Sequence, residues 1–235
     1  MTKQQTITEM FDDISPRYDF LNHLLSLNLD RGWRRKVSKL VTTALGNLSK
    51  PEILDVATGT ADLALQMAKD LPSAQITGID LSQNMLDLGQ RKVKAKGLEQ
   101  RVCLRRDDAM ALSFRNESFD AVTVAFGVRN FSDLSQGVHE MVRVLKKGGT
   151  LVILEFAKPT HRWIKGGYHL YTHLWLPLIG RLVSGHRSAY RYLPESIERF
   201  PSLETNIRML EEAGLSDVQT EALLGGVALL YHGRK

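Results

Sequence analysis

Acidic residues bracket a short turn in the first third of the chain. Asp55 lies near the end of an apolar run, Gly59 lies in the turn, and Asp62 opens a helical pattern. The next apolar run ends at Asp80. In a strand, turn, helix and strand unit, an acid at this place accepts hydrogen bonds from the hydroxyls of a ribose. The spacing therefore predicts a site for an adenosine-bearing ligand, with Asp55, Gly59 and Asp80 among its contacts.

The turn does not fit the dinucleotide pattern. The spacing G-x-G-x-x-G falls on Ala57, Gly59 and Asp62, so only the middle glycine is present. A pyrophosphate needs bare amides at a helix N-terminus, and Asp55 and Asp62 would repel it, whereas they attract a cationic sulfonium. This pattern favours S-adenosyl-L-methionine over NAD. The alternative is a purely structural turn in which Asp62 caps the helix.

Two later strand ends add groups to the same edge. Residues 102–106 predict a strand that is followed by Asp108 and Ala109. Because the ends of parallel strands form the ligand crevice, we expect Asp108 to accept the adenine amino group and the Ala109 amide to donate to the ring. The alternative is that adjacent acids simply end a strand at the surface. Residues 119–125 predict the next strand, and the loop after it is where a transferred group would meet its acceptor.

The elements that position these residues alternate along the chain. Apolar runs of strand length and helical patterns follow one another from residue 51 to residue 159, which predicts a doubly wound parallel sheet. The fifth strand is expected from Thr150, after a turn over residues 146–149. A helix over residues 203–213 and strands over 216–222 and 226–233 complete an α/β fold with seven strands, as in class I S-adenosylmethionine-dependent methyltransferases.

One domain is expected, with two helical segments outside the sheet. Residues 1–50 predict N-terminal helices that form a lid over the cleft, or else an ordinary packing extension. Residues 51–159 form the cofactor-binding core, and residues 201–235 the terminal helix and strand pair. The aromatic and basic insertion over residues 160–200 suits an apolar substrate tunnel or a membrane-surface patch. The alternative is that its aromatic residues form the core of a helical subdomain.

Composition bounds the class of protein. The 235 residues carry a net charge of +5, which suits nucleic acid, an anionic membrane or neither. One cysteine excludes a disulfide framework and a cysteine metal cluster, and the N-terminus lacks the apolar region of a signal peptide. We therefore expect a reducing, cytoplasmic setting. A nucleic-acid methyltransferase is disfavoured, because residues 125–128 lack the Asn/Asp-Pro-Pro-aromatic tetrad that holds a flipped base.

Several motifs resemble one family. Tyr18-Asp19-Phe20-Leu21-Asn22 with Ser26 and Trp33, and Arg143-Val144-Leu145-Lys146-Lys147-Gly148-Gly149 with Leu154-Glu155-Phe156, are similar to signatures of the C-methyltransferases of menaquinone and ubiquinone biosynthesis. Phe126-Gly127-Val128-Arg129-Asn130 and Tyr190-Arg191-Tyr192-Leu193 also resemble family blocks. The chain departs from the family at Leu21, Asp30, Lys147, Ala157 and Ala61. The family usually has histidine at the position of Asp30, so this chain lacks the residue for any role of that histidine.

The resemblance implies a reaction and the residues for it. Thr60, Asp80, Asp108 and Ala109 match cofactor contacts, and Tyr18, Arg129 and Asn130 match substrate-facing, catalytic positions. The implied reaction is methyl transfer to a ring carbon of a reduced prenylated quinol. Closest similarity favours a naphthoquinol, and a benzoquinol or another small apolar acceptor stays open. The implied location is the cytoplasm, with contact to the inner face of the membrane.

The chemistry constrains these roles. Arginine stays protonated, so Arg129 suits a stabiliser of the developing phenolate, with Asn130 orienting the hydroxyl. The general base stays open among Tyr18, Tyr190, His169 and His173. The two histidines have helical i, i+4 spacing, but no third ligand or zincin pattern accompanies them, so no metal is expected.

Overall fold

The computed structural model describes residues 7, 9–12, 15, 19, 26, 28–46, 48–159 and 187–235, the last range without the side chains of residues 187–191. Seven strands are present in these residues: β1 Glu52–Val56, β2 Gln75–Asp80, β3 Val102–Arg106, β4 Phe119–Ala125, β5 Leu145–Phe156, β6 Ser216–Leu223 and β7 Ala228–Arg234. The helices are α1 Leu29–Leu45, α2 Asp62–Asp70, α3 Gln83–Ala95, α4 Leu134–Val144, α5 Arg187–Arg199 and α6 Leu203–Glu212.

The strands form one sheet in the order β3-β2-β1-β4-β5-β7-β6. Strands β1 to β5 pair in parallel, whereas β7 pairs antiparallel with both β5 and β6. The predicted seven-stranded fold class is confirmed. The chain order reverses between β1 and β4, and the crevice outside the carboxyl ends of these strands is where such sheets bind ligands.

Helices cover both faces of the sheet. Neighbouring residues of β1, Ile53 and Leu54, are both fully buried although their side chains lie on opposite faces. Ile53 packs in a cluster with Trp33 and Val37 of α1, and Leu54 packs in a second cluster with Met141 of α4. The continuous apolar runs that predicted parallel strands therefore reflect burial on two sides.

Local structure differs from the sequence prediction at two places. Helix α2 has Ala61 as its N-cap, without a side-chain cap, so Asp62 is not the cap. Strand β5 begins at Leu145, before the predicted start at Thr150, and its register with β4 is irregular over residues 146–149. The predicted turn lies inside the strand because the C-terminal residue pairs with it: the Gly148 amide donates to the Lys235 carbonyl at 2.7 Å.

Within the part of the chain that the structure describes, no helix has the length and apolar character to cross a bilayer. The same residues contain no group of three or more potential metal ligands.

Candidate functional site

The turn after β1 is held in an unusual backbone conformation. Ala57, Gly59 and Ala61 all have left-handed φ angles, of 51°, 55° and 66°. Phe126, at the end of β4 across the crevice, has a φ of 60°. Alanine and phenylalanine adopt this region at a cost, and such residues concentrate at functional sites. Glycine would adopt the left-handed conformation of Ala61 without this cost.

Asp80 ties the turn to the next helix. Its Oδ2 accepts a hydrogen bond from the Gly59 amide at 2.9 Å, and its Oδ1 accepts one from the Ser82 amide at 3.0 Å. Burial raises the pKa of this carboxyl, and the backbone amides of Ser82, Gly59 and Leu81 lower it in part. Asp80 therefore shapes the site as well as lining it.

Asp55 lies beneath the turn and is almost fully buried. Its carboxylate accepts hydrogen bonds from the hydroxyls of Thr58 at 2.6 Å and Thr123 at 2.8 Å. Burial raises its pKa from 3.8 to about 6, although the two threonine hydroxyls and the charge of Arg34 oppose the shift. At neutral pH the group is an anion within a small pocket that the turn residues also line.

A cleft opens at the carboxyl ends of the strands, where open α/β sheets bind their ligands. Its walls are mainly apolar, with Ile79, Met85 and Phe126 among them. Asp80 and Asp107 are its charged residues, and no lysine, arginine or histidine of the described chain lines it. A diphosphate would meet repulsion there, whereas a neutral nucleoside bearing a cationic group fits this donor and charge pattern.

The N-terminal residues contact this cleft. Ile7 and Phe11 line it, and Ser82 donates a hydrogen bond to the Asp12 carboxylate. Asp19, from the first family signature, pairs with Lys92 and accepts a hydrogen bond from Thr60. The start of the chain is therefore attached to the same turn that Asp80 holds.

The cofactor residues expected from the sequence occupy different places. Gly59, Asp80 and Ala109 line the cleft. Thr60 is buried and lines the smaller neighbouring pocket, where its hydroxyl also accepts from Lys92 at 2.9 Å. The Asp108 carboxylate accepts from the Met110 amide at 2.9 Å, and it is Asp107 that lines the cleft. Adjacent acids in the sequence offered no means of choosing between them.

Arg129 and Asn130 follow β4 in a short 3₁₀ turn, Val128–Asn130. The Arg129 guanidinium pairs with Glu155 at 2.7 Å and donates to the Phe126 carbonyl, with its side chain only 7% exposed. Arg129 Nε has no hydrogen-bond partner among the described residues. Asn130 lines the cleft, and its Oδ1 accepts a hydrogen bond from the Tyr192 hydroxyl at 2.9 Å.

Sequence reasoning missed the contacts that Tyr192 and Glu155 make with the side chains of Asn130 and Arg129. Both residues lie in sequence motifs that resemble the family, and these motifs were the only sequence signal for them. The motifs did not indicate which residues the two side chains contact. Burial raises the pKa of the Tyr192 hydroxyl, so it remains a donor to Asn130 at neutral pH. Tyr18, His169, His173 and the side chain of Tyr190 lie outside the described residues, and their roles stay predictions.

Comparison with solved structures agrees with the fold. The [4+2]-cyclase SpnF superposes with a TM-score of 0.73 at 21% identity, covering 100% of this chain and 97% of that one. The phosphoethanolamine N-methyltransferase 2 of Haemonchus contortus, solved with S-adenosyl-L-methionine, superposes with a TM-score of 0.63 at 16% identity, over 85% of this chain and 52% of that one. At these identities the likeness concerns the fold.

Curated relatives are much closer in sequence. A demethylmenaquinone methyltransferase of Bacteroides fragilis is 43% identical, covering 99% of this chain and 94% of the relative. One of Thermus thermophilus is 46% identical over 95% of this chain and 99% of the relative. The ubiquinone/menaquinone biosynthesis C-methyltransferase UbiE of Geotalea uraniireducens is 45% identical over 99% and 97%.

The sequence model of one protein family matches residues 1–235, the full length given. This match agrees with the motifs between residues 18 and 193 and with the acidic cleft at the point where the strand order reverses. The chain belongs to the ubiE/COQ5 methyltransferase family.

Proposed function

We propose that this enzyme transfers the methyl group of S-adenosyl-L-methionine to a ring carbon of demethylmenaquinol, giving menaquinol. The observation that carries the proposal is the cleft at the switch point, lined by Asp80 and Asp107 without any cation of the described chain. The relatives named demethylmenaquinone methyltransferase, which match over nearly their whole length, support the choice of acceptor.

The residues of the cleft fit the adenosyl donor. Asp80 lies at the end of β2, where it suits the ribose hydroxyls, and Ala109 suits the adenine edge. The Asp55 anion beneath the turn favours a cationic ligand near Gly59. When bound, S-adenosylmethionine supplies an electrophilic methyl group on a sulfonium.

The acceptor is activated at its own hydroxyl. Loss of the quinol proton places electron density on the adjacent ring carbon, which forms the new carbon–carbon bond as the carbon–sulfur bond breaks. The ring then regains aromaticity by losing its own proton. We propose that the Asn130 amide group binds the quinol oxygen, because Tyr192 occupies Oδ1 and leaves the Nδ2 hydrogens as donors toward the cleft.

In this proposal Arg129 acts on the substrate site only indirectly. Its guanidinium is engaged by Glu155 and by the Phe126 carbonyl, so it orients the loop that carries Asn130. It is unsuited to removing a proton, because arginine remains protonated in proteins. Tyr18 stays a predicted substrate-facing residue, and the base stays open.

The test is methyl transfer from donor labelled in the methyl group, with reduced demethylated naphthoquinol and benzoquinol as parallel acceptors. We expect labelled menaquinol with the first acceptor, and no product from the oxidised quinone, which has no hydroxyl to ionise. Asp80→Ala should weaken donor binding by about 1–3 kcal/mol in calorimetry, because a buried acceptor is lost. Product from the benzoquinol alone would contradict the choice of acceptor, and no product from either would contradict the proposal.

A further inference from the structure

The chain between β3 and β4 is a long loop that forms part of the cleft wall. Residues 107–118 contain no helix or strand, although this connection has to pass β2 and β1 to reach β4. Long connections without regular structure are usually functional. Asp107 and Ala109, near the start of this β3–β4 loop, line the cleft. The position of the loop therefore determines the shape of the cleft at this edge.

One face of α4 binds the β3–β4 loop. Gln136, Glu140 and Arg143 recur at i, i+4 and i+7, which places their side chains on the same side of the helix. All three bind backbone groups of the loop, and we call them the α4 clamp. The outermost contact is from Gln136 Nε2, which donates to the Met110 carbonyl at 3.2 Å.

Arg143 makes most of the contacts of the α4 clamp. Its guanidinium donates to the carbonyls of Leu112 and Phe114, both at 2.9 Å, and to Oδ1 of Asn116 at 2.8 Å. It also forms a bidentate pair with Glu140, at 2.6 and 2.7 Å. The hydrogen bonds from Arg143 lower the pKa of Glu140, so this carboxylate remains a charged acceptor at neutral pH.

Leu112 connects the α4 clamp to the cleft. Its amide donates to Glu140 at 2.8 Å and its carbonyl accepts from Arg143, so both of its backbone polar groups are bound. The next residue, Ser113, donates its amide and its hydroxyl to the Asp107 carboxylate, at 3.2 and 2.7 Å. A displacement of Leu112 would therefore move the donors that orient Asp107 in the cleft.

Recognition of a base needs acceptors and donors that are held in place. A carboxylate accepts a hydrogen bond from the 6-amino group of adenine and repels the 6-oxo group of hypoxanthine. The difference between the two bases is large only when the polar groups of the site are fixed, because mobile groups can turn to suit either base. A loop without regular structure depends on contacts from outside it for this rigidity.

We propose that Glu140 and Arg143 are positioning residues, which hold the β3–β4 loop so that the cleft selects adenine over hypoxanthine. This inference rests on the proposed function, because the base belongs to the adenosyl donor. Neither residue lines the cleft. They act through Leu112 and Ser113, which carry the constraint to the residues that do line it.

The test is calorimetry of the full chain with S-adenosylhomocysteine and S-inosylhomocysteine, which differ at the 6 position of the base. Arg143→Lys keeps the charge and loses the planar fork that binds Glu140 and the loop carbonyls together. Arg101→Lys is the matched control. Arg101 also donates to two backbone carbonyls, those of Ala68 at 2.9 Å and Leu71 at 3.3 Å, but it precedes β3 at the end of the strand away from the cleft.

We expect the wild type to bind the adenosyl ligand at least about tenfold more tightly than the inosyl ligand. Arg143→Lys should bind the adenosyl ligand about tenfold more weakly and the inosyl ligand within about twofold of the wild type, so that most of the selectivity is lost. Gln136→Ala removes a single exposed contact and should reduce the selectivity about twofold. Arg101→Lys should lower the melting temperature and keep the selectivity of the wild type.

The ratio of the two dissociation constants separates positioning from stability. An unchanged ratio in Arg143→Lys, or an equal loss in Arg101→Lys, would overturn the proposal. Circular dichroism checks the folding of each variant, and if Arg143→Lys does not fold, an unchanged ratio in Gln136→Ala overturns the proposal instead. A wild type that binds both ligands equally well would overturn this inference alone. A wild type that binds neither would contradict the proposed function as well.

Discussion

The Asp55 carboxylate accepts two threonine hydroxyls while burial removes it from water. Because its pKa rises from 3.8 to about 6, the folded protein binds this proton more tightly than the unfolded chain does. The resulting contribution to stability is therefore fully present below about pH 4 and is lost as the pH rises through about 6. The hydrogen bonds from Thr58 and Thr123 reduce the rise in the Asp55 pKa but do not reverse it.

Asp55→Asn removes this titration. Relative to the variant, the wild type should lose about 3 kcal/mol of unfolding free energy as the pH rises from about 4 to above 6, since one pKa unit corresponds to about 1.4 kcal/mol. Urea denaturation at a series of pH values measures the difference between the two proteins. Curves that run parallel across this window would contradict the raised pKa.

Tyr192 positions Asn130 through one hydrogen bond. Tyr192→Phe removes only the hydroxyl, so the amide loses its fixed orientation, and we expect kcat to fall about tenfold with little change in the Kd of the donor. The matched control is Tyr231→Phe, whose hydroxyl contacts Asn206 in the core. That variant should lose stability and keep kcat. Equal effects of the two substitutions on kcat would argue against a positioning role.

Arg129 and Glu155 form a buried pair, with side chains 7% and 0% exposed. Arg129→Met leaves the Glu155 charge without its partner, so unfolding free energy should fall by about 3–5 kcal/mol. Adding Glu155→Gln should recover part of this loss, because the amide is neutral. The backbone amides of Arg129 and Phe156 donate to different oxygens of Glu155, so the glutamine keeps an acceptor for only one of them. If Arg129→Met alone were as stable as the wild type in denaturant, the pair would not stabilise the fold in this way.

At the scale of elements, the N-terminal residues are held over the cleft by a few polar contacts. Asp19 pairs with Lys92 of α3 and accepts from Thr60, and Asp12 accepts from Ser82 at the start of the same helix. Ile7 and Phe11 add apolar contact with the cleft. This arrangement supports the predicted lid, which stays a prediction because no closing motion is shown.

Asp19→Asn weakens the attachment of these residues. The pair is partly exposed, so we expect a loss of up to about 1 kcal/mol, with faster proteolysis near the N-terminus and up to about fivefold weaker donor binding. Asp87→Asn on α3 is the control, because Asp87 contacts only the nearby Gln83 side chain among the described hydrogen bonds. Limited proteolysis with and without the donor measures both effects. Unchanged cleavage would place the N-terminal segment in the folded core instead.

At the scale of the whole molecule, the cleft depends on the close approach of two loops from neighbouring strands. A methyl group added at Gly127, after β4, would lie 2.5 Å from the Cβ of Ala57, after β1. Gly127 is buried and Ala57 is half-buried, so an added methyl group would have to push the two loops apart. The strand order brings these two loops together at the point where the sheet reverses.

Gly127→Ala should therefore destabilise the protein by about 1–3 kcal/mol and weaken donor binding, because overpacking separates the loops. Gly32→Ala is the matched substitution in the exposed first part of α1, where nothing lies within 4 Å of the added methyl. It should stabilise the protein by about 0.5–1 kcal/mol, since alanine loses less conformational entropy in a helix. Thermal unfolding and calorimetry of both variants provide the measurement. Similar effects of both would contradict the packing argument.

The local elements were accessible from the sequence alone. Strands Val102–Arg106 and Phe119–Ala125 have the predicted bounds, and helix Asp62–Asp70 begins at the predicted residue. Ser82 caps α3, where its hydroxyl accepts a hydrogen bond from the Met85 amide. Periodicity and capping act within a few residues, so they can be identified without the tertiary structure. The turn spacing and the strand ends likewise predicted that Gly59, Asp80 and Ala109 lie at one edge of the sheet, and the three residues line the same cleft.

Side-chain pairing across the molecule was decided by the tertiary structure. Asn130 meets a tyrosine 62 positions away, and Arg129 meets a glutamate 26 positions away. The choice of Asp107 over Asp108 for the cleft depends on the direction in which one loop leaves β3. The sequence by itself determined which strands form, their alternation with helices and the family. Only the folded sheet decided which charges are paired and which face a ligand, because a pair distant in the chain forms only when packing brings both partners to the same edge.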